Sequence, residues 1–185
     1  MVKAGIPELE IRLIIDLYWN QHASVRVEGE CSRSFSIRRG VRQGCIISPI
    51  LFNLYSEFMI REALEGIKGI QFGGENITNL RYADDAVLIA DSRKKLQRML
   101  NRLNLKCIAY GMSMNVKKTK VMVMSKEENV QCEIKLNEVV LEQVSRYQYL
   151  GSWITEDVRC ESEIVTRIAM AKSSLKQLFG KIRNL

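Results

Sequence analysis

The chain has 185 residues, 46% of them hydrophobic, which allows one domain with a sizeable core and argues against a disordered tail. Lys and Arg number 28 against 21 Asp and Glu, a formal net charge of +7 that favours a polyanionic partner. The cysteines, Cys31, Cys45, Cys107, Cys132 and Cys160, are five in number with no close pair. They argue against a disulfide framework and a zinc site, and with no bilayer-spanning apolar run and no signal peptide the sequence reads as intracellular.

In chain order, Pro7 opens a helical pattern with Leu9, Leu13, Ile14 and Leu17 on one face and Glu8, Glu10, Arg12 and Asp16 on the other. Ala23, Val25 and Val27 alternate with polar residues, Gly29 marks a turn, and Phe35 with Ile37 repeats the alternation, which predicts a hairpin. His22 has no Cys or His at ligand spacing and reads as an ordinary surface or strand-edge residue. A basic, glycine-punctuated loop follows, Arg39-Gly40-Val41-Arg42-Gln43-Gly44-Cys45. It leads into a helix expected to be capped by Ser48, with Pro49 in its first turn, running to about Glu65 and stopped by Gly66. Leu51, Leu54, Phe58, Ile60 and Leu64 are its candidate core residues.

Next comes Tyr82-Ala83-Asp84-Asp85 between two short apolar runs, 77–81 and 86–90, the pattern of a tight hairpin with two carboxylates at its tip. Successive strand residues face opposite ways, so only a turn lets both carboxylates approach one metal cluster. Asp also favours turns for backbone reasons alone, so turn chemistry and metal ligation both stand as readings of the pair. Ser92 then caps a basic amphipathic helix with Leu96, Met99, Leu100, Leu103 and Ile108 on its apolar side, ending at Gly111. Strands are expected at 121–124, 133–136 and 139–141, ahead of 147–154. The final segment, 161–185, places Ile164, Ile168, Leu175 and Leu178 on one helical face, with Arg167, Lys172, Lys176, Lys181 and Arg183 around the rest.

Four blocks in order carry a resemblance: 39–53, Tyr82-Ala83-Asp84-Asp85, 111–120, and Tyr149-Leu150-Gly151. Together they resemble the reverse transcriptase domain of non-long-terminal-repeat, LINE-like retrotransposons, over essentially the whole chain. The resemblance implies an α+β fold: a polymerase-type palm with an antiparallel sheet and packed helices at 1–155, and the beginning of a basic helical thumb at 156–185. It also implies an RNA template, a DNA primer, deoxynucleoside triphosphates and Mg2+ or Mn2+. By the same resemblance Asp84 is the principal metal ligand, Asp85 the auxiliary one, and Tyr82 packs beside the primer end. Gln43 and Gly44 lie under the templating pair, where a glycine permits close backbone approach, and Arg39 and Arg42 bind phosphate oxygens. Lys118 stands near the departing pyrophosphate, Lys117 and Lys120 are solvated or phosphate-facing, and Tyr149, Leu150 and Gly151 form the primer grip, with Tyr147 and Trp153 as nearby aromatics.

Members of that family carry a further metal-binding Asp on an upstream palm strand, and no residue of this chain matches it. Fingers and first palm strand are likewise unmatched. The expectation is weak metal binding, no activity from the isolated chain, and an uncovered sheet edge open to self-association. Two other readings stay open: a non-enzymatic nucleic-acid-binding module, and the reading frame of a decayed element.

Overall fold

The computed structural model describes residues 1–19, 21–127, 130–159 and 161–182. Cys160 and Arg183, named above, lie outside the described residues, as do the side chains of Leu178 and Lys181. The elements begin with a short 3-10 turn, then α1 (Glu8–Tyr18), β1 (Gln21–Ala23), β2 (Arg26–Val27), β3 (Glu30–Cys31), β4 (Phe35–Ile37) and α2 (Ser48–Leu64). They continue with β5 (Ile70–Phe72), β6 (Glu75–Ile77), β7 (Asn79–Tyr82), β8 (Asp85–Leu88), α3 (Arg93–Ala109) and β9 (Lys120–Val121). Last come β10 (Lys135–Leu136), β11 (Val139–Val140), β12 (Glu142–Gln143), β13 (Arg146–Tyr149), β14 (Ser152–Thr155) and α4 (Glu161–Ile182). The composition is α+β as expected, but the described strands pair two by two, and β9 with β12 is a parallel pair. No helix among the described residues is long and apolar enough to cross a membrane.

The chain divides into two compact units, Met1–Gly66 with Asn79–Val87, and Ile67–Thr78 with Leu88–Leu185. In the first, α1 has Glu8 and Glu10 in its opening turn, where carboxylates complement the helix dipole. Its apolar stripe is not core: Leu9 is 72% exposed, Leu13 56% and Leu17 49%, and α1 has no buried residue. The hairpin expected at 23–37 is two nested ladders, β1 with β4 and β2 with β3. Ser48 does not cap α2. It is the helix's first residue, buried, and its hydroxyl donates to Arg42 O at 2.6 Å. The core of α2 lies toward its end, at Met59, Ile60, Ala63 and Leu64, with Leu51, Leu54 and Phe58 half-buried.

In the second unit, α3 packs Leu100 against Val121, Ile134, Leu136 and Leu141, joined at the margin by Leu88, Leu96 and Met114. Met99, Leu103 and Cys107 complete its buried face, while Ile108, expected there, is 59% exposed. The reason is phase, since 96, 99, 100, 103 and 107 share one side of a helix turning about 100° per residue and 108 does not. Ser92 sits at the cap position without a capping side-chain bond. The predicted strands at 121–124, 133–136 and 139–141 shrink to two-residue ladders. Their in-out alternation persists, because Ile134 and Leu136 are buried while Glu133 and Lys135 are exposed. Gly69 has a packing role the sequence did not declare, since a Cβ there would collide with the backbone of Ile77 and Thr78.

Candidate functional site

The acidic pair sits where β7 turns into β8. Ala83 and Asp84 form a two-residue turn, Asp85 is the first residue of β8, and Tyr82 ends β7. Ala83 has φ 52, left-handed backbone that costs a non-glycine residue roughly 1–2 kcal/mol. The turn breaks the strand alternation between Asp84 and Asp85, and both carboxylates are exposed, as is Tyr82 at 65%. One step from the tip, Arg81 pairs with Glu57 of α2 at 2.6 Å, and Arg61 pairs with the same carboxylate at 3.1 Å. Partial burial pushes the Glu57 carboxyl up, but the two guanidiniums outweigh it and hold the group below its ordinary value. The hairpin is therefore tied to α2 by charge.

Magnesium and manganese take oxygen ligands, typically one or two carboxylates completed by water and phosphate oxygens. Asp84 and Asp85 suit the protein's share of such a site. No group of three or more His, Cys, Asp or Glu able to hold a metal ion occurs among the described residues, so Asp84 and Asp85 stand as a pair.

Of the loop residues in the same unit, Arg39 and Gln43 are exposed. Gly44 has φ 82, and a Cβ there would meet nothing within 4 Å, so backbone conformation, not close approach within this chain, is what the glycine provides. Arg42 is partly committed: its Nη2 donates to Leu17 O at 2.7 Å, and its guanidinium carbon lies 5.8 Å from the Tyr18 ring centroid. Beside it the Tyr18 hydroxyl donates to Cys45 Sγ at 3.3 Å and lies 2.7 Å from Ser48 Oγ. The Tyr18 hydrogen bond, helped by the backbone at Ile47, lowers the Cys45 thiol to about 7, and the same bond raises the Tyr18 phenol. These contacts anchor the loop to the last turn of α1.

The remaining predicted residues belong to the second unit. Lys118 is exposed in a turn whose backbone is held by Asn115, with the Lys118 N–H 3.1 Å from Asn115 Oδ1. Lys120 is not a solvated or phosphate-facing residue, because its ammonium pairs with Glu142 across the β9–β12 ladder. Leu150 (φ 50) and Gly151 (φ 81) form the left-handed two-residue turn joining β13 to β14, a twist matched to a hairpin. Glu163 of α4 clamps this hairpin: its carboxylate accepts from Trp153 N at 2.7 Å and from Arg167 Nε at 2.6 Å. The Trp153 N–H and then Arg167 hold the Glu163 carboxyl below its ordinary value. Arg146 stacks 5.1 Å from the Trp153 ring centroid, and Arg167 also donates to Ser152, so neither Trp153 nor Arg167 is a bare surface group.

Tyr18, Glu57 and Glu163 are the positioning residues that sequence reasoning missed. The last two do carry a local signal, a Glu four residues before an Arg on a helix, but that spacing names one partner and not the strand each Glu holds.

Residues 3–154 match the family model described as reverse transcriptase (RNA-dependent DNA polymerase). The chain is 33% identical over 129 residues to the retrovirus-related Pol polyprotein from type-1 retrotransposable element R2 of Nasonia vitripennis, covering 68% of this chain and 12% of that protein. The corresponding protein of Popillia japonica is 33% identical over 120 residues, 63% of this chain and 17% of its own length. A putative uncharacterized transposon-derived protein of Caenorhabditis elegans is 35% identical over 100 residues, 53% of this chain and 36% of that protein. The chain thus spans a small part of the length of the curated relatives it matches.

Proposed function

The chain belongs to the reverse transcriptase (RNA-dependent DNA polymerase) family, and from that premise we propose that it is the palm, with the start of the thumb, of a non-long-terminal-repeat retrotransposon polymerase. Residues 1–155 are the palm with its finger connection, and 156–185 begin the thumb. The observation that carries this reading is the exposed Asp84 and Asp85 at the tip of a hairpin fixed to α2 through Arg81 and Glu57.

Asp84 is the principal and Asp85 the auxiliary carboxylate for the Mg2+ or Mn2+ pair. Bound there, such ions would supply Lewis-acid activation of the primer hydroxyl and neutralise charge on the triphosphate. Tyr82 packs beside the primer end. Gln43 offers an amide to the nucleotide or template, Gly44 shapes the loop below it, and Arg39 presents an exposed guanidinium for phosphate. Arg42 keeps donors for phosphate only beyond the one it gives Leu17. Lys118 supplies an ammonium for the pyrophosphate, and the Leu150–Gly151 turn with Tyr149 supports the primer, held in place through Glu163.

The further metal-binding Asp that members of the family carry has no match in this chain, so no primer extension is expected from it by itself. Losing a shared ligand costs about 4 kcal/mol of transition-state stabilisation, about a thousandfold in rate. The test is primer extension by the purified chain on an RNA template with a DNA primer, all four deoxynucleotides and Mn2+, beside Asp84→Ala. Absence of product from folded protein is the expected result. Incorporation that Asp84→Ala abolishes would overturn the inactivity and mean that another carboxylate or another chain completes the site.

A further inference from the structure

Helix α3 carries Arg93, Lys94, Lys95, Arg98, Arg102 and Lys106 and no acidic residue. Its surface divides into four sectors. One is the buried face of Met99, Leu100, Leu103 and Cys107. A second is tied to the β10–β11 hairpin: Arg93 Nε donates to Glu133 O at 2.8 Å, Gln97 exchanges bonds with both the N–H and the O of Lys135, and Asn104 bonds Asn137. The third includes Lys95, neutralised by Asp91 at 2.6 Å. The fourth, Lys94, Arg98, Asn101 and Leu105, falls within about 60° of one helical direction and is exposed along its whole length. Neither Lys94 nor Arg98 has an acidic partner among the described residues.

We propose that this stripe of α3 is a docking surface for the phosphodiester backbone of a nucleic acid. Lys94 and Arg98 stand one turn apart, a rise of about 6 Å, so each can take a separate phosphate of one strand. Asn101 on the same line adds an amide for phosphate or sugar oxygens. Exposed apolar side chains on this line come only at the far end of the helix, Leu105 and Ile108, so over Lys94, Arg98 and Asn101 charge is the driving force. Of the acidic residues near the helix, Asp91 is paired with Lys95, and Glu133 and Glu138 border the hairpin-tied side, which bounds the footprint on that side of the stripe. This surface goes beyond the polymerase reading, because it needs neither the acidic pair nor a metal.

The test uses the full chain and a labelled single-stranded RNA oligonucleotide, without metal or deoxynucleotides, titrated across about 50 to 200 mM salt. The double variant Lys94→Gln/Arg98→Gln is expected to bind about tenfold more weakly near physiological salt, with the slope of log K against log salt shallower by about 1.4. Lys95→Gln, which removes a charge already paired, leaves the slope unchanged. Circular dichroism confirms that each variant is folded, and Lys94→Glu/Arg98→Glu, expected to weaken binding further, repeats the reading if the first pair melts early. An unchanged slope in folded double variants overturns the proposal. So does competition by polyglutamate as effective, charge for charge, as by unlabelled RNA, which would make the stripe a site for acidic polypeptides. Failure here leaves the primer-extension result untouched, and an inactive chain can still pass.

Discussion

Helices α1 and α3 present the same pattern in sequence, an apolar line at helical spacing with charge around it, and meet opposite ends in the structure. Helix α3 buries Met99, Leu100, Leu103 and Cys107 against the strands of its own unit. Helix α1 buries nothing and is held at its last turn by polar contacts, Arg42 to Leu17 O and Tyr18 to Cys45 and Ser48. Amphipathicity announces that a face has low affinity for water. What covers that face depends on the rest of the fold, and α1 shows that polar ties at one end can fix a helix whose stripe stays open.

Substitutions can break or sharpen that contrast. The largest effect belongs to Leu100→Ala, which opens a cavity in the α3 cluster and is expected to cost about 2–5 kcal/mol in urea denaturation. Arg42→Ala removes a charged hydrogen bond at an exposed site, and about 1 kcal/mol is expected. An Arg42→Ala cost near that of Leu100→Ala would mean that the loop anchor matters as much as the buried cluster. A third probe reads the α1 anchor directly. The alkylation rate of Cys45 by iodoacetamide should rise with pH about a midpoint near 7, and Tyr18→Phe should move that midpoint upward. Because the folded value is depressed, the stabilisation from this contact is present above the ordinary thiol pKa and lost as pH falls through about 7. Exposed Cys31 serves as the internal rate reference, and an unmoved midpoint would remove Tyr18 as the cause. The smallest effect is Leu13→Ala in α1, expected within about 0.5 kcal/mol. A larger loss there would show the stripe to be covered in solution.

Much of the fold was legible. Glycine and proline punctuation located α2 and the hairpins, and hydrophobic phase located α3, because these depend on a few neighbouring residues. The acidic tip was legible for the same reason: two carboxylates between apolar runs admit little besides a turn. Less was visible where a side chain serves a distant backbone. Ser48 reads as a cap and instead bonds Arg42 O and Tyr18, and Lys120 reads as a free cation and instead pairs with Glu142. Gly69 carries no signal in the sequence, although its lack of a side chain is what lets the backbone at Ile77 approach. In each case the deciding partner lies several residues away or on another element, and spacing along the chain carries no record of it.

Ala83 at φ 52 stands in backbone that alanine does not choose by itself. The surroundings must impose it: the β7–β8 ladder on either side of the turn, and the Arg81–Glu57 pair that ties this ladder to α2. Glycine at 83 would enter the same conformation without steric cost, so Ala83→Gly would relieve strain there while widening the directions open to the two neighbouring carboxylates. The tip is thus a place where the framework, and not the local residue, sets the backbone.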